Sequence, residues 1–358
     1  MPKPRSPREK SPNLADLAEM TTTILVTAGA SEKNAAVVAE HLIESELVGR
    51  ASHGLRLLPG YVDRLIAGQV DGIAEPAIIH DGGGVMRISG NNAFGQVVGD
   101  YAAATGVSRA RENGIAMIAI ESSGHFGRNA RWPEYAARHG VASMHFGHGF
   151  GSTPTVVPFG GLDPRLRTSP IAFGAPSPDG RHVILDFSVA EISANAIKLA
   201  FERGERLPRP AVVAVDGSLT DDPSAFVDGA GALLAFGGFK GYGIAVFAEI
   251  FAGIIAGGGN SAPGVNAMLS VYFDVAAVTG KSRYDKDLTK MLEALRSTRS
   301  LSGSAVSVPG DRSRRERRKR LADTTLVKSL LPTVLVAAEK TGATPALFDR
   351  WPDISAEV

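Results

Sequence analysis

Apolar residues recur at helical intervals from Leu14 to about Ala28, and again over EKNAAVVAEHLIESELVG at 32–49, where Ala35, Val38, Leu42 and Ser45 line one side behind a capping Ser31. A third helix is predicted from near Leu55 to Ala67, and this helical opening ends at Gly68. The pattern then shortens. Residues 77–90 read as two short strands around a DGGG turn, Gln96 to Asn113 as a helix, and IAMIAIE at 115–121 as a buried strand. A helix running to Arg138 follows, then strands VASMHF at 141–146 and VILDFS at 183–188, and the helix SANAIKLAFERG. Later come a strand LSVYFDV, a helix from Lys286 to Arg296, a basic run and a last helix.

Glycine and proline dominate 147–180, which marks loop-rich ground suited to function. Strands and helices are mixed without regular β-α-β alternation, so the expected class is α/β in the α+β sense, layered around a mixed, largely antiparallel sheet. The segment FGGFKGYGIAVFAEIFAGIIAGGG at 236–259 places Lys240 among glycines ahead of a long apolar helix. A helix start offers unpaired N–H groups and partial positive charge, so Lys240 and Gly241 either hold an anion or cap a turn. The glycine order matches neither a P-loop nor a Rossmann fingerprint. Glu249 sits within the apolar stretch, which favours the central helix of a core over a membrane span.

With 358 residues, 44% of them hydrophobic, the chain can bury a sizeable core. A net charge of +1 supplies no global field for nucleic acid or an anionic membrane, and neither is an expected partner. Cysteine is absent, which excludes disulfides and thiolate chemistry and is compatible with a cytoplasmic location. The expected organisation is a mobile tail over 1–12, a helical subdomain over 13–75, a central domain over 76–310 and a C-terminal segment over 311–358 packing back on the N-terminal part.

Four groups of residues carry candidate chemistry. Ser52, His53 and Arg56 lie where the second helix gives way to the third; His53 and Arg56, three positions apart, can share a face, pairing an acid/base with a carboxylate grip, or else are a capping histidine and a surface arginine. His125, in the loop SSGHFGR after a buried strand, is either a displayed active-site ring or a turn histidine, with Arg128 as a possible anion contact. Asp186 closes VILDFS, where it can orient a histidine or cap the next turn. His145 and His148 fit zinc patterns poorly, so no metal is expected, and RSRRERRKR at 312–320 reads as a solvated helix face.

Together these segments resemble the malate/L-lactate dehydrogenase family of NAD(P)H-dependent oxidoreductases. SHGLRLLPGYVDRL is similar to its SHG-x-x-R signature, GHFGRNARWPEY to its histidine loop, VVPFGG and TSPIAFGAP to its central block, GGFKGYG to its lysine turn and VSVPGD to its late PGE-type turn. The order runs over roughly 13–340, and Trp132 and Glu134 after GHFGR point to the hydroxycarboxylate dehydrogenase B branch. The resemblance implies a non-Rossmann dinucleotide-binding fold, a homodimer with its active site near the subunit contact, NAD or NADP as cofactor, and a 2-oxo/2-hydroxy acid as substrate. His125 or His53 would be the acid/base, Arg56 would hold the substrate carboxylate, and Ser52 would assist. Cofactor contacts would come from Thr168, Ser169, Pro170, Asp186, Lys240, Gly241, Pro309, Gly310 and Asp311. A cyclic imine carboxylate reductase is one alternative, since the same hydride and carboxylate grip would serve; Ser169 stands where an asparagine is usual and FSVA at 187–190 replaces a MATS-like stretch, so a non-catalytic dinucleotide-binding homologue is the other.

Overall fold

The computed structural model describes residues 12–149, 153–257, 265–301 and 303–351. The expected tail over 1–12 lies outside the described residues except for Pro12. Helix α1 (Leu14–Thr27) begins where Asn13 and Asp16 cap each other: the Asp16 N–H donates to Asn13 Oδ1 at 3.1 Å and the Asn13 N–H to Asp16 Oδ2 at 2.9 Å. Helix α2 (Glu32–Leu47) opens on the Ser31 hydroxyl. Helix α3 (Leu58–Ile66) is preceded by two 3-10 turns, Ala51–His53 and Leu55–Leu57, separated by an extended Gly54. Leu17, Ile24, Leu42 and Val62 on these helices pack with Leu331, Val334 and Leu335 from near the other end of the chain. Burying each such side chain contributes roughly 1.5–3 kcal/mol.

Strands β1 (Ala77–Asp81) and β2 (Val85–Ser89) lead to helix α4 (Gly95–Asn113), strand β3 (Ile115–Ser123), helix α5 (Arg131–Arg138) and strand β4 (Val141–Gly149). Strands β5 (Pro170–Ala175) and β6 (Val183–Ser188) follow, then helix α6 (Ala194–Glu202). A small sheet of β7 (Val212–Val213), β8 (Leu219–Thr220) and β9 (Ala232–Leu233), with helix α7 (Ser224–Val227), comes next; its two-residue strands are too short to leave an alternation in the sequence. Helix α8 (Phe239–Ala248) runs into a π-helical stretch, Glu249–Ile255, and then strand β10 (Asn266–Asp274). The chain closes with α9 (Val275–Thr279), α10 (Lys281–Arg296), α11 (Asp311–Leu321), α12 (Leu326–Thr341) and α13 (Thr344–Arg350).

The main sheet runs β1-β2-β3-β10-β4-β5-β6. Only β2 and β3 pair in parallel; every other neighbouring pair is antiparallel, as the mixed composition led one to expect. β10 enters the centre from late in the chain and bonds to both β3 and β4. Helix α4 covers this centre with Val98, Ala102, Ala103, Val107 and Ala110. It carries Gly106 at a cost of roughly 1 kcal/mol in helix propensity, because a Cβ there would lie 2.2 Å from the ring of buried Tyr272 on β10.

Three sequence expectations change. The apolar stretch after Lys240 is only partly core: Gly241, Ala245, Ala248, Ala252 and Gly253 face inward, while Phe247, Ile254 and Ile255 remain 55%, 71% and 51% exposed. Its small residues meet the sheet and its large ones face away, a choice that a segment apolar on all sides does not reveal. Helix α10 begins at Lys281, five residues before the expected start, and the basic run, which forms α11 with no buried residue as its reading as a solvated helix face implied, is followed by two helices rather than one. Among the described residues no single helix is long and apolar enough to cross a membrane.

Candidate active site

His53 and Arg56 do not share a helix start; each lies in its own 3-10 turn, on either side of Gly54. Buried Glu46 on α2 fastens this bend by accepting the Leu55 N–H at 2.9 Å. A Cβ on residue 54 would fall 2.0 Å from that carboxylate, so glycine is required there. Burial raises the Glu46 pKa, while the Leu55 N–H and Arg320 favour its charged form.

His53 is turned inward and His125 meets it, the two rings stacked with centroids 6.3 Å apart and planes at 18°. His53 Nδ1 lies 2.9 Å from Ser52 Oγ, and His125 Nδ1 lies 2.8 Å from Tyr61 Oη. Tyr61 in turn accepts from Gln96 Nε2 at 2.9 Å. Burial depresses both rings, His53 to about 4 with Arg50 and Arg128 adding to the effect, and His125 to about 3 with His53 and Arg64 adding to it. Both imidazoles are therefore neutral near pH 7.

The loop after His125 is pinned from below. Fully buried His41 accepts the Arg128 N–H at Nε2, 2.8 Å away, and Arg128 grips Glu134 in two parallel hydrogen bonds of 2.8 and 2.7 Å. Asp186 takes neither of the two places considered for it, orienting a histidine or capping the turn after its strand. Its Oδ2 accepts the Ala130 N–H at 2.9 Å, burial raises its pKa, and the Ala130 N–H and Arg128 oppose that rise. The carboxylate thus ties β6 to the histidine loop through backbone.

Strand β6 gathers the remaining sequence candidates. The Ile184 N–H donates to Pro309 O at 3.2 Å, which holds the Pro309–Gly310–Asp311 turn against the strand. Asp311 then caps that turn through the Val308 N–H and pairs with Arg314 at 2.6 Å. At the other end of the strand, the Val189 N–H donates to Ser169 O and the Phe236 N–H to Val189 O, and the rings of Phe187 and Phe236 meet edge to face. The lysine turn with Lys240 and Gly241 is thereby attached to the same strand, Lys240 exposed and Gly241 buried. Ser169, buried beside half-buried Thr168 and Pro170, gives its hydroxyl to Glu249 Oε1 at 3.3 Å, and Glu249 Oε2 is 3.0 Å from His148 Nδ1. Burial pulls Glu249 up, but hydrogen bonds from His148 and the Arg167 N–H outweigh it and leave the carboxyl low.

A cleft of ≈ 500 Å³ opens beside the Gly310 turn, with Arg128, Glu134, His182, Ile184 and Arg314 in its wall. An apolar groove of ≈ 510 Å³ borders the lysine turn, lined by Val157, Phe159, Glu191, Gly237 and Gly238. Arg56 lies on the surface and is paired with Glu202 of α6 at 2.8 Å. Both nitrogens of His145 are taken by Ser270 and Ser143, and no group of three or more potential ligands for a metal occurs among the described residues.

Sequence reasoning missed His41, Glu46, Tyr61 and Gln96. The signal that marks them is a polar residue on an otherwise apolar helix face: Glu46 one turn after Leu42, and Tyr61 among Leu58, Val62 and Leu65.

Residues 13–332 match the family described as Malate/L-lactate dehydrogenase. Among known proteins, an L-lactate dehydrogenase from Cupriavidus necator is 37% identical over 228 residues, covering 63% of this chain and 65% of that protein. Hydroxycarboxylate dehydrogenase B from Escherichia coli is 34% identical over 231 residues, 64% of each chain. The chain thus spans somewhat less than two thirds of the length of these relatives. The crystal structure of delta1-piperideine-2-carboxylate reductase from Pseudomonas syringae superposes with a TM-score of 0.77 at 29% identity, covering 90% of this chain and 98% of that one.

Proposed function

The chain belongs to the malate/L-lactate dehydrogenase family, and from that premise we propose that it is an NAD(P)-dependent oxidoreductase acting on C2 of a 2-oxo/2-hydroxy carboxylic acid. The observation that carries this reading is the stacked, neutral pair His53 and His125, held by Ser52 and Tyr61, with a carboxylate-binding candidate, Arg56, three residues after His53. His125 exchanges a proton with the substrate oxygen, Arg56 fixes the carboxylate, and the turn anchored by Glu46 keeps both in register. When bound, the dinucleotide supplies or accepts the hydride. The residues present suit it: the Gly310 turn borders an arginine-lined cleft, and the buried Nε of Arg128 in its wall lacks a protein partner. Thr168, Ser169, Pro170, Asp186, Lys240, Gly241 and the 309–311 turn would hold it along β6. Purified protein mixed with NADH or NADPH and a panel of 2-oxo acids and cyclic imine carboxylates decides the matter: oxidation of the cofactor with an acid supports the reading, oxidation with imines alone favours the reductase of the related structure, and none with either rejects both.

Arg56 is engaged by Glu202, so a substrate carboxylate must displace one carboxylate with another. Glu202→Gln is expected to lower KM by about two- to five-fold with kcat unchanged, an exposed pair being worth roughly 0.2–1 kcal/mol. An unchanged or raised KM in initial-rate measurements contradicts the role of Arg56.

The chain acts as a homodimer in the cytoplasm in this reading. Phe159, Phe239, Phe247, Ile254 and Ile255 are all more than half exposed around the lysine turn and the π-helical stretch, a patch that a second copy would cover. Sedimentation equilibrium is expected to return twice the chain mass of 37.4 kDa, and Phe247→Glu to return the single mass. A monomeric wild type rejects the dimer.

A further inference from the structure

We propose that Tyr61 and Gln96 form a hydrogen-bond switch that sets which ring nitrogen of His125 carries its hydrogen, which makes them positioning residues for the acid/base step. The role in turnover rests on the function proposed above; the switch itself does not. Tyr61 projects from the buried face of α3, and Gln96 is fully buried in the first turn of α4. Between them they present one hydroxyl and one amide to His125, in a line from Gln96 Nε2 through Tyr61 Oη to His125 Nδ1 with steps of 2.9 and 2.8 Å.

Hydrogen counting assigns the direction of this line. Gln96 donates to Tyr61 Oη, so the single hydroxyl hydrogen is free to be given to His125 Nδ1. Nδ1 is then an acceptor, and the neutral ring carries its hydrogen on Nε2. A ring in that form donates a hydrogen bond to a carbonyl oxygen, but it has no lone pair at Nε2 with which to take a proton from a hydroxyl. A second arrangement is needed for the basic form. Its acceptor is already in place: Gln96 Oε1 is buried and has no hydrogen-bond partner. A half-turn of the amide exchanges its oxygen for its nitrogen, so that Tyr61 donates to Gln96 and accepts from His125 Nδ1–H.

The first arrangement is the resting form of the neutral ring, and the second serves both directions of the reaction. When the ring takes up a solvent proton, both nitrogens carry hydrogen and Nδ1–H donates to Tyr61. When Nε2 gives its proton to the forming alkoxide, the neutral ring keeps Nδ1–H and presents an Nε2 lone pair, the form that takes the proton back in the oxidation. One proton enters the ring and one leaves it, and the hydrogens of Tyr61 and Gln96 are only redirected. The other groups acting on His125 are His53 from the first 3-10 turn, Arg64 from α3 and His41 from α2. All are cationic or become so on protonation, so they oppose an imidazolium, and the Tyr61–Gln96 pair is the element here that can turn to accept from it.

The test reads the ring directly. Protein labelled with 15N-histidine is examined by long-range 15N–1H NMR, with His125 assigned through His125→Asn, and the fold of each variant checked by circular dichroism. Gln96→Glu places a permanent acceptor behind Tyr61; His125 is expected to turn to the Nδ1–H tautomer and its pKa to rise by about one unit. Tyr61→Phe removes the hydroxyl alone, and the His125 pKa or its tautomer ratio is expected to change, with the corresponding limb of the kcat/KM pH profile moving by the same amount. His125 keeping its wild-type tautomer and pKa in folded Gln96→Glu, or in Tyr61→Phe if the former does not fold, overturns the switch. Because no substrate is needed, a switch seen by NMR in a protein inactive with every acid and imine condemns the proposed function and not the switch.

Discussion

His125→Ala is expected to lower kcat for the 2-oxo acid by about 100- to 10,000-fold, the range for loss of a positioned acid/base, with KM changed much less. Two histidines share the site, and their surroundings separate them. His125 lies at the start of the loop that follows strand β3 and is held through Tyr61 to Gln96 on another helix, whereas His53 is held by its own neighbour Ser52. Their rings stack at 6.3 Å, so a charge on one opposes a charge on the other, and one proton is shared between two sites. That arrangement gives one ring the proton and the other the task of setting its affinity. His53→Ala is accordingly expected to cost less in kcat and to shift the acid limb of the kcat/KM profile upward, because a group that depresses the His125 pKa is gone. Steady-state rates across pH for His125→Ala, His125→Asn and His53→Ala decide the assignment. If His125→Ala stays within about three-fold of wild type while His53→Ala carries the loss, the two roles are exchanged.

The loops that display these histidines were legible in the sequence because glycine and the end of an apolar run mark them. Their partners were not. Tyr61, Gln96, His41 and Glu46 sit on helices whose period shows only which side is buried, and a buried polar residue gains meaning only when its partner from a distant segment is known. Asp186 illustrates the reverse case: the strand that carries it was readable, though the residue lies inside that strand and not at its end, and the group it binds, the Ala130 N–H, carries no side-chain signal. At the level of the fold, helical and strand periods located most elements between Leu14 and Glu202 to within a few residues. The central place of β10 was hidden because strand order depends on which edges meet, not on the strand's own residues. The segment after Lys240 was hidden for a further reason: when all sides are apolar, side-chain size decides which faces the sheet.

Acidification below about pH 6.5 is expected to destabilise the fold steeply, because buried His41, His53, His125 and His145 all have pKa values below the unfolded value of 6.5. Burial is the first cause in each, and only His145 lacks a further one. The sign follows from proton binding. Above pH 6.5 neither state is protonated and nothing is lost; below it the unfolded chain binds protons that the folded chain refuses. The loss continues until about pH 4 for His53 and about pH 3 for His125 and His145. Each histidine can remove up to about 1.4 kcal/mol per pH unit. His53 and His125 keep an edge accessible to water and contribute less than that limit, so His41 and His145, at 1% exposure each, dominate. Asp186 and Glu46 act in the opposite sense, since burial raises their carboxyls and the folded state protonates them first, which restores some stability at the acid end. Against a typical total of about 5–15 kcal/mol, a drop from pH 7 to pH 5 is expected to remove several kcal/mol. Urea unfolding at pH 8, 7, 6 and 5 measures it. His145→Leu supplies the control: it leaves Ser143 and Ser270 without their partner and so lowers stability at pH 8, yet loses less on acidification than wild type. A stability that stays level from pH 7 to pH 5, or an equal slope in His145→Leu, contradicts this account of the buried histidines.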